Sequence, residues 1–322
     1  MGLEKRLSVA SHHEVREGER DGVRVRELVS PEGLVASYAP GAGMVCASLR
    51  RNGAELLGQR KGLRVYAETG STMGIPLLHP WANRLARMGY RLRDVDVTFP
   101  ADSPLVHDDG QGLPIHGLLG GCPAWQVETF EADADAARLA ARLDFAAQPG
   151  LMALFPFAHE LLMDVTLCGP VLEVRTELRA TGDRAVPVAF GYHPYFQLPD
   201  VPRAAWELTL PVLRHMRLDA RFLPTGETEP AKIEPGPLGD TVYDDLYTEL
   251  EPRPTFVLAG GGRRLEVAFG EGYDVGVIYA PANDDVVCFE PMTAPTNPFE
   301  GGEVRWVEPG ASFEAGFEVC VG

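Results

Sequence analysis

The chain has 322 residues, of which 45 % are hydrophobic, and its formal net charge is -17. That hydrophobic share is enough for a sizeable core and excludes global disorder. Acidic residues outnumber basic ones by 46 to 29, and this excess repels polyanions, so we expect neither nucleic acid nor an anionic membrane surface as a partner. The 35 glycines and 27 prolines are typical of a turn-rich β protein rather than a helical one.

The five cysteines are widely spaced and form neither a Cys-x-x-Cys pair nor the Cys/His spacing of a zinc site. We therefore expect no disulfide framework, no metal and no other cofactor. The N-terminus has no apolar segment of the signal-peptide kind, and no run of about 18 apolar residues could span a bilayer. The sequence predicts a cytoplasmic protein.

The N-terminal residues 1–22 are polar and include the neighbours His12 and His13. We expect this segment to be an exposed arm, with the two histidines solvated rather than bound to a metal. From Val23 onward, short apolar-alternating runs are separated by turn compositions such as Pro31-Glu32-Gly33. The sequence thus predicts an arm over 1–22 and a single domain over 23–322.

Strand signals dominate the middle of the chain. Residues 161–167 and 172–178 flank the turn Cys168-Gly169-Pro170, and the second run alternates apolar and charged residues with period two. Residues 137–145 are alanine-rich, so their composition suits a helix as well as the strand that we predict. Further strands are expected at 208–210, 256–258, 265–269, 275–279, 286–289 and 313–319, and a surface excursion at 224–239. Many short strands and little helix predict an all-β protein of packed antiparallel sheets.

Polar residues that could carry chemistry follow or flank several of these strands. Glu290 ends the apolar run 286–289 and precedes a proline-rich turn, so partial desolvation should raise its pKa and make it a better base. His193 lies among aromatic residues, and because the ordinary pKa of histidine is about 6.5 we expect that it can donate a proton near neutral pH. Each residue alone also has an ordinary structural interpretation: Arg84 as a salt-bridged arginine, Asp244 as a turn carboxylate and His116 as a loop histidine.

Together, five segments resemble the aldose 1-epimerases, also called galactose mutarotases, in the order in which that family has them. The resemblance spans most of the chain and implies a large antiparallel β-sandwich whose concave face opens onto a sugar site. The segments are Pro80-Trp81-Ala82-Asn83-Arg84-Leu85, Ile115-His116-Gly117 with Trp125 downstream, Tyr192-His193-Pro194-Tyr195-Phe196, Tyr243-Asp244-Asp245 and Phe289-Glu290-Pro291.

The resemblance also implies roles for single residues. Glu290 would be the general base and His193 the general acid, in a reaction that opens and closes the sugar ring and so interconverts α and β anomers. The substrate-binding residues would be Arg84, Asn83, His116, Asp244 and Tyr195, with His116 at the ring oxygen and Asp245 as the alternative to Asp244. No metal is implied.

The sequence departs from the family pattern at two places. Leu118 stands where many members have the second glycine of His-Gly-Gly, and Tyr192 and Pro194 replace the asparagine and serine that commonly flank the histidine. These changes leave the acid and the base intact but leave open which sugar binds. They resemble the aldose epimerase-like branch of the family.

Two other functions compete with the mutarotase. A hexose-6-phosphate 1-epimerase would need a cationic cluster, to which Arg84, Arg87, Arg91 and Arg93 could contribute, because arginines hold phosphate well. A non-catalytic carbohydrate-binding or sensing protein would be expected to lose the acid or the base, and both are present here. In each case the partner is a small sugar, and the protein would be a monomer or a homodimer.

Overall fold

The computed structural model describes residues 12–300 and 304–322. About 50 % of the chain is strand and about 5 % is helix, in large antiparallel sheets, which confirms the predicted all-β sandwich. In these residues the helices are α1 (Leu63–Thr69) and α2 (Pro149–Leu154), with a single 3₁₀ turn at Arg203–Ala205. No helix in the described ranges is long and apolar enough to cross a membrane.

The strands are numbered in chain order. The first twelve are β1 (Glu14–Arg20), β2 (Val23–Val29), β3 (Leu34–Ala39), β4 (Val45–Arg51), β5 (Ala54–Glu55), β6 (Leu77–Leu78), β7 (Gly89–Leu92), β8 (Val95–Thr98), β9 (Gln126–Ala132), β10 (Ala137–Asp144), β11 (His159–Cys168) and β12 (Val171–Ala180). The others are β13 (Val186–Val188), β14 (Gly191–Tyr192), β15 (Glu207–Thr209), β16 (Val212–Leu218), β17 (Pro224–Pro230), β18 (Gly236–Pro237), β19 (Tyr243–Leu250), β20 (Thr255–Gly260), β21 (Arg263–Phe269), β22 (Val275–Ala280), β23 (Cys288–Met292), β24 (Arg305–Val307) and β25 (Ser312–Val321).

Two large sheets form the sandwich. A nine-stranded sheet has the order β18-β15-β20-β21-β25-β12-β11-β10-β9, and a seven-stranded sheet has the order β17-β16-β19-β22-β23-β14-β6. Aromatic side chains join them: the ring of Phe256 on β20 lies 5.3 Å from that of Phe289 on β23, and Tyr192 on β14 lies 4.9 Å from Phe317 on β25. A five-stranded sheet, β1 to β5 in sequential order, and the pairs β7–β8 and β13–β24 complete the fold.

The predicted hairpin forms as β11 and β12. The two strands pair along their whole length, from His159 opposite Ala180 to Cys168 opposite Val171. The alanine-rich run forms strand β10, in which every second residue is buried. Its alanines do not make a helix because β9 and β11 pair with it on both sides, and this tertiary pairing outweighs local propensity.

The structure contradicts the predicted exposed arm at the N-terminus. Residues 1–11 lie outside the described part of the chain, but Glu14–Arg20 is a strand that pairs with β2 along its whole length, not an exposed arm. The turn between them is Asp21-Gly22, with φ of 49° and 80°, and an Asp-Gly pair of this kind is a strong hairpin signal. His13 is buried, and its Nδ1 contacts Ala134 O at 3.2 Å while its Nε2 accepts the Gly169 N–H at 3.2 Å.

The proline- and glycine-rich interval 224–239 also differs in part from the expected excursion. It begins with β17, a mostly exposed strand that pairs only with β16 at the edge of the seven-stranded sheet. Prolines at both ends of β17 fit such a position, because the free side of an edge strand needs no N–H donors.

A pair of histidines is buried between the sheets. His159 Nδ1 lies 2.7 Å from the carbonyl oxygen of Phe157 and must donate to it, so in the neutral pair its Nε2 accepts from His79 Nε2 at 2.8 Å. Burial lowers the pKa of His159 to about 4, and burial followed by the proximity of His159 lowers that of His79 well below its ordinary value. Both imidazoles are therefore neutral in the folded protein.

This pair predicts a loss of stability in mild acid. Below about pH 6.5 the unfolded chain protonates both histidines while the folded chain does not, so the free energy of unfolding falls as the pH drops from 6.5 towards 4, by up to about 1.4 kcal/mol per pH unit for each histidine. Urea unfolding at a series of pH values measures this slope. His159→Gln should flatten it relative to the parent protein. A slope unchanged in His159→Gln would contradict the assignment.

Candidate active site

Three neighbouring strands of the seven-stranded sheet form the floor of a cleft. Asp244 on β19 pairs with Tyr279 on β22, which pairs with Cys288 on β23. Two residues further along these two strands, Val277 on β22 pairs with Glu290 on β23. Because paired residues point to the same side of a sheet and residues two apart share a face, these side chains all lie on one face.

The same alternation separates the two candidate aspartates. Asp245 is one residue from Asp244 and therefore points to the other side of β19, where its Oδ1 contacts His215 Nε2 at 3.0 Å. Asp244 lines the cleft, and burial raises its pKa. The geometry thus places Asp244 rather than Asp245 among the cleft residues.

Two paired loops bring Asn83, Arg84 and His116 to the cleft. His116 N donates to Asn83 O at 2.9 Å, and both residues have left-handed backbones, with φ of 65° and 56°. Such φ values are uncommon for residues other than glycine and are often found at functional sites. Gly117 is needed beside them, because a Cβ there would lie 2.2 Å from the carbonyl oxygen of His79.

His193 follows β14 and is fixed by both its backbone and its neighbours. Its N–H donates to Pro76 O at 3.2 Å, and two residues later Tyr195 N donates to Gly74 O at 2.8 Å. The Tyr195 ring stacks on the His193 imidazole with centroids 4.3 Å apart, and the His116 ring meets that imidazole edge-on at 5.2 Å. The imidazole is thus held in one orientation.

His193 and Glu290 meet at the bottom of the cleft. Nε2 of His193 lies 3.4 Å from Oε1 of Glu290, and the residues are only 6 % and 1 % exposed. Glu290 Oε2 is buried without a hydrogen-bond partner. One titratable acid and one titratable base therefore share a site from which bulk water is largely excluded.

The surroundings shift the pKa values of this pair in opposite directions. Burial, followed by the nearby Asp244 carboxylate, raises the pKa of Glu290 well above its ordinary value, against the opposing effect of Arg84. Burial, followed by His116 and Arg60, lowers the pKa of His193 well below its ordinary value. Opposed shifts of this kind in a cleft are typical of groups that exchange protons with a substrate.

Arg84 is anchored by hydrogen bonds at the wall of the cleft. Its Nε donates to Asp109 Oδ2 at 2.9 Å and its Nη1 to Asn83 Oδ1 at 3.1 Å. The Asp109 carboxylate is itself fixed by the N–H groups of Gln111 and Leu113. The guanidinium is therefore pre-oriented, which lowers the entropy cost of binding a hydroxyl-bearing ligand.

All seven residues that the sequence singled out line one cavity of about 460 Å³: Asn83, Arg84, His116, His193, Tyr195, Asp244 and Glu290. The volume is suited to a small polar ligand. Sequence reasoning missed the other polar residues of this cavity, namely Arg60, Lys61, Thr72, Asp108, Asp109 and Tyr279. No local pattern in the sequence marks Tyr279 as a cavity residue, because only strand register brings it opposite Asp244.

The arginine cluster considered for a phosphorylated sugar does not assemble. Of its four members only Arg84 lines the cavity. Arg87 pairs with Glu300, Arg91 is an exposed residue of β7, and Arg93 lies over the ring of Trp306 at 3.6 Å. The missed Arg60 does line the cavity, with its Cζ 4.7 Å from the Tyr195 ring centroid and its Nε 3.4 Å from Asp284.

The family model of the aldose 1-epimerases matches residues 33–320. The chain belongs to the aldose 1-epimerase family. Its match extends over every element that contributes to the cavity, from the turn that carries Arg60 to strand β23. No curated protein sequence matches the chain closely enough to count as a relative.

Several solved structures share the fold of this chain at low sequence identity. A galactose mutarotase-like protein from Clostridium acetobutylicum superposes with a TM-score of 0.85 at 17 % identity, covering 97 % of this chain and 99 % of that one. The Slr1438 protein of Synechocystis gives 0.73 at 23 % identity and covers 99 % of both chains. Galactose 1-epimerase from Lactobacillus acidophilus gives 0.75 at 15 % identity, covering 98 % and 99 %.

Gly117 offers a test of how the His116 loop is held. Gly117→Ala places a methyl group against the His79 carbonyl at a φ of 73°, so we expect the free energy of unfolding to fall by about 1–3 kcal/mol. Gly112→Ala is the matched control, because its φ of 88° is just as unusual but nothing lies within 4 Å of the added Cβ. Urea unfolding compares the two; equal losses would mean that the close approach to His79 is unimportant.

Proposed function

We propose that the protein is an aldose 1-epimerase that interconverts the α and β anomers of an aldose by general acid/base catalysis. The observation that carries the proposal is the contact at 3.4 Å between His193 and Glu290 at the bottom of a polar cavity of about 460 Å³. The family supports a sugar as the substrate. The reaction needs one base and one acid, each within hydrogen-bond reach of the same C1–O5 unit.

In the proposed reaction, the Glu290 carboxylate takes the proton of the anomeric hydroxyl while the His193 imidazolium protonates the ring oxygen O5. The C1–O5 bond then breaks and leaves an open-chain aldehyde. Rotation about C1–C2 presents the other face of the aldehyde to the O5 hydroxyl. Closure returns the O5 proton to His193 and the Glu290 proton to O1, so the two residues end as they began. No electron is transferred to or from the sugar.

The remaining cavity residues would bind and orient the sugar. Burial, followed by the proximity of Arg84, lowers the pKa of His116 to about 3, so its imidazole is neutral and its unpartnered Nδ1 is free to hydrogen-bond near the ring oxygen. Arg84 would donate to hydroxyl oxygens and Asp244 would accept from hydroxyl protons. Asn83 fixes Arg84, and Tyr195 supports the His193 ring from below.

We also propose that the enzyme works in the cytoplasm as a monomer or homodimer, and that it binds neither nucleic acid nor membranes. The formal net charge of -17 supports the last part, because it opposes the approach of polyanions and anionic lipid. Light scattering of the purified protein would decide the oligomeric state.

The first activity prediction is faster anomer exchange for at least one aldose. Freshly dissolved pure anomers of common hexoses, pentoses and their 6-phosphates, followed by polarimetry or NMR, measure it. The phosphates belong in the panel because Arg60 and Lys61 line the cavity. EDTA should not reduce the rate, because acid and base are both side chains. Sugar binding without faster exchange would instead support a non-catalytic carbohydrate-binding protein.

The second activity prediction concerns the acid and the base. Glu290→Gln keeps size and polarity but removes the basicity, and His193→Asn removes the titrating ring, so each should lower kcat by about 10²–10⁴-fold. The double variant should lose much less than the product of the two, because the groups act as a unit. Arg84→Ala should mainly raise KM. Full turnover in Glu290→Gln, with the fold checked by thermal unfolding, would show that Glu290 is not the base.

The third activity prediction is a bell-shaped profile of kcat/KM against pH. The productive form needs Glu290 ionised and His193 protonated, so the rate falls on the acid side as Glu290 gains a proton and on the alkaline side as His193 loses one. Both pKa shifts disfavour this ion pair, so only a minor share of the free enzyme carries it and the maximum of the bell is low.

Single charge changes should move one limb at a time. Asp244→Asn removes a charge that raises the pKa of Glu290, so the acid limb should move to lower pH. Arg60→Gln removes a charge that lowers the pKa of His193, so the alkaline limb should move to higher pH. Asp108→Asn is the control within the same cavity and should leave both limbs in place. Limbs that stay in place in both variants would mean that Glu290 and His193 do not set the pH profile.

A further inference from the structure

A buried thiol lies beneath the proposed acid and base, and the proposed reaction does not use it. Cys288 is two residues before Glu290 on β23, so both side chains are on the cleft face of the strand. It is fully buried and packs with Tyr195 and Val286. A small apolar residue would fill the same space. The thiol adds a sulfur atom that can bind a metal ion, which packing alone does not need.

The donor atoms of His193, Cys288 and Glu290 all lie within 4.8 Å of one another. Within this group, His193 Nε2 and Glu290 Oε1 are 3.4 Å apart. Tetrahedral zinc with bonds of about 2.0–2.3 Å brings its ligand atoms to about 3.5 Å apart. Side-chain adjustments of about 1 Å would therefore complete a three-ligand site, and Glu290 Oε2 is buried with no partner to give up.

We propose that His193, Cys288 and Glu290 form a binding site for a thiophilic divalent cation of the zinc type. A set of one nitrogen, one sulfur and one carboxylate oxygen suits Zn²⁺ and disfavours Mg²⁺ and Ca²⁺, which prefer oxygen ligands throughout. The ion would enter through the cavity, and its fourth position would remain open to water or to a sugar oxygen.

Charge balance supports this choice of ion. A neutral imidazole, a thiolate and a carboxylate carry two negative charges together, which a divalent cation neutralises. Burying a neutral complex avoids the large cost of burying an uncompensated charge. On binding, the thiol proton of Cys288 leaves to solvent and a sulfur–metal bond replaces the S–H bond, with no change of oxidation state.

The consequence for activity rests on the proposed function. A bound ion would occupy the lone pairs of the His193 imidazole and the Glu290 carboxylate through which the pair would exchange protons with the sugar. Zinc should therefore stop anomer exchange, and EDTA should restore it. Binding of the ion itself depends only on the three donors and not on whether a sugar reacts there.

Calorimetric titration of the chelator-treated, tag-free protein with Zn²⁺ tests the binding. We expect one ion per chain, with affinity at least about 100-fold lower in Cys288→Ala, since loss of a metal's outer hydrogen-bond partners alone costs about 10–100-fold. Cys288→Ser removes the thiol but nearly keeps the size of the side chain, so it tests the same loss of affinity even if Cys288→Ala disturbs the fold. Cys168→Ala removes an exposed thiol and is the control that should bind as the parent does. No zinc binding by the parent protein, or equal binding in the Cys288 variants, would overturn the proposal.

The same samples separate this proposal from the proposed function. Zinc that binds through Cys288 and abolishes anomer exchange supports both. Zinc that binds through Cys288 without slowing the exchange upholds the metal site but means that His193 and Glu290 are not the acid and base. A protein that binds zinc through Cys288 but accelerates no sugar in the panel upholds the metal site and contradicts the epimerase.

Discussion

The pairing of β22 with β23 is the constraint on which the site depends. It sets Glu290 opposite Val277 and Cys288 opposite Tyr279, so that the carboxylate lies on the cleft face while Phe289, between them, joins the aromatic core of the sandwich. A shift of one residue in this register would send Glu290 into that core and Phe289 into the cleft. The hydrophobic packing that holds the two sheets together thus also fixes the position of the proposed base.

Desolvation connects the fold to the proposed chemistry. The same burial that makes Glu290 a stronger base makes the His193 imidazolium harder to form, and both effects disfavour charge in the empty site. The charges of Arg84, Asp244 and Arg60, on the walls of the cleft, then also shift the pKa values of Glu290 and His193. Under the two proposals, this buried pair would accept either a polar sugar, whose hydroxyl and ring oxygen can take part in the proton exchange, or a cation that neutralises the ligands.

Much of the site was predictable because its residues stand in short segments with local signals. Glu290 ends an apolar run, His193 lies among aromatics before a proline, and Asn83 and His116 lie in turn-rich loops. Alternation also predicted the β11–β12 hairpin. The N-terminal strand was missed because its composition is polar, although Asp21-Gly22 carried the hairpin signal. Arg60, Tyr279 and Asp109 were missed because each looks like an ordinary polar residue.

The sequence by itself determined the all-β class, the strand periodicity and the residue types of the proposed acid and base, since these depend on local pattern and side-chain chemistry. Only the tertiary structure decided that Asp244 rather than Asp245 faces the cleft, that Arg87, Arg91 and Arg93 lie elsewhere, and that Cys288 lies beneath His193. Those outcomes depend on strand register and on contacts between residues that are far apart in the chain. Packing of the whole sandwich fixes such contacts, and no short segment encodes them.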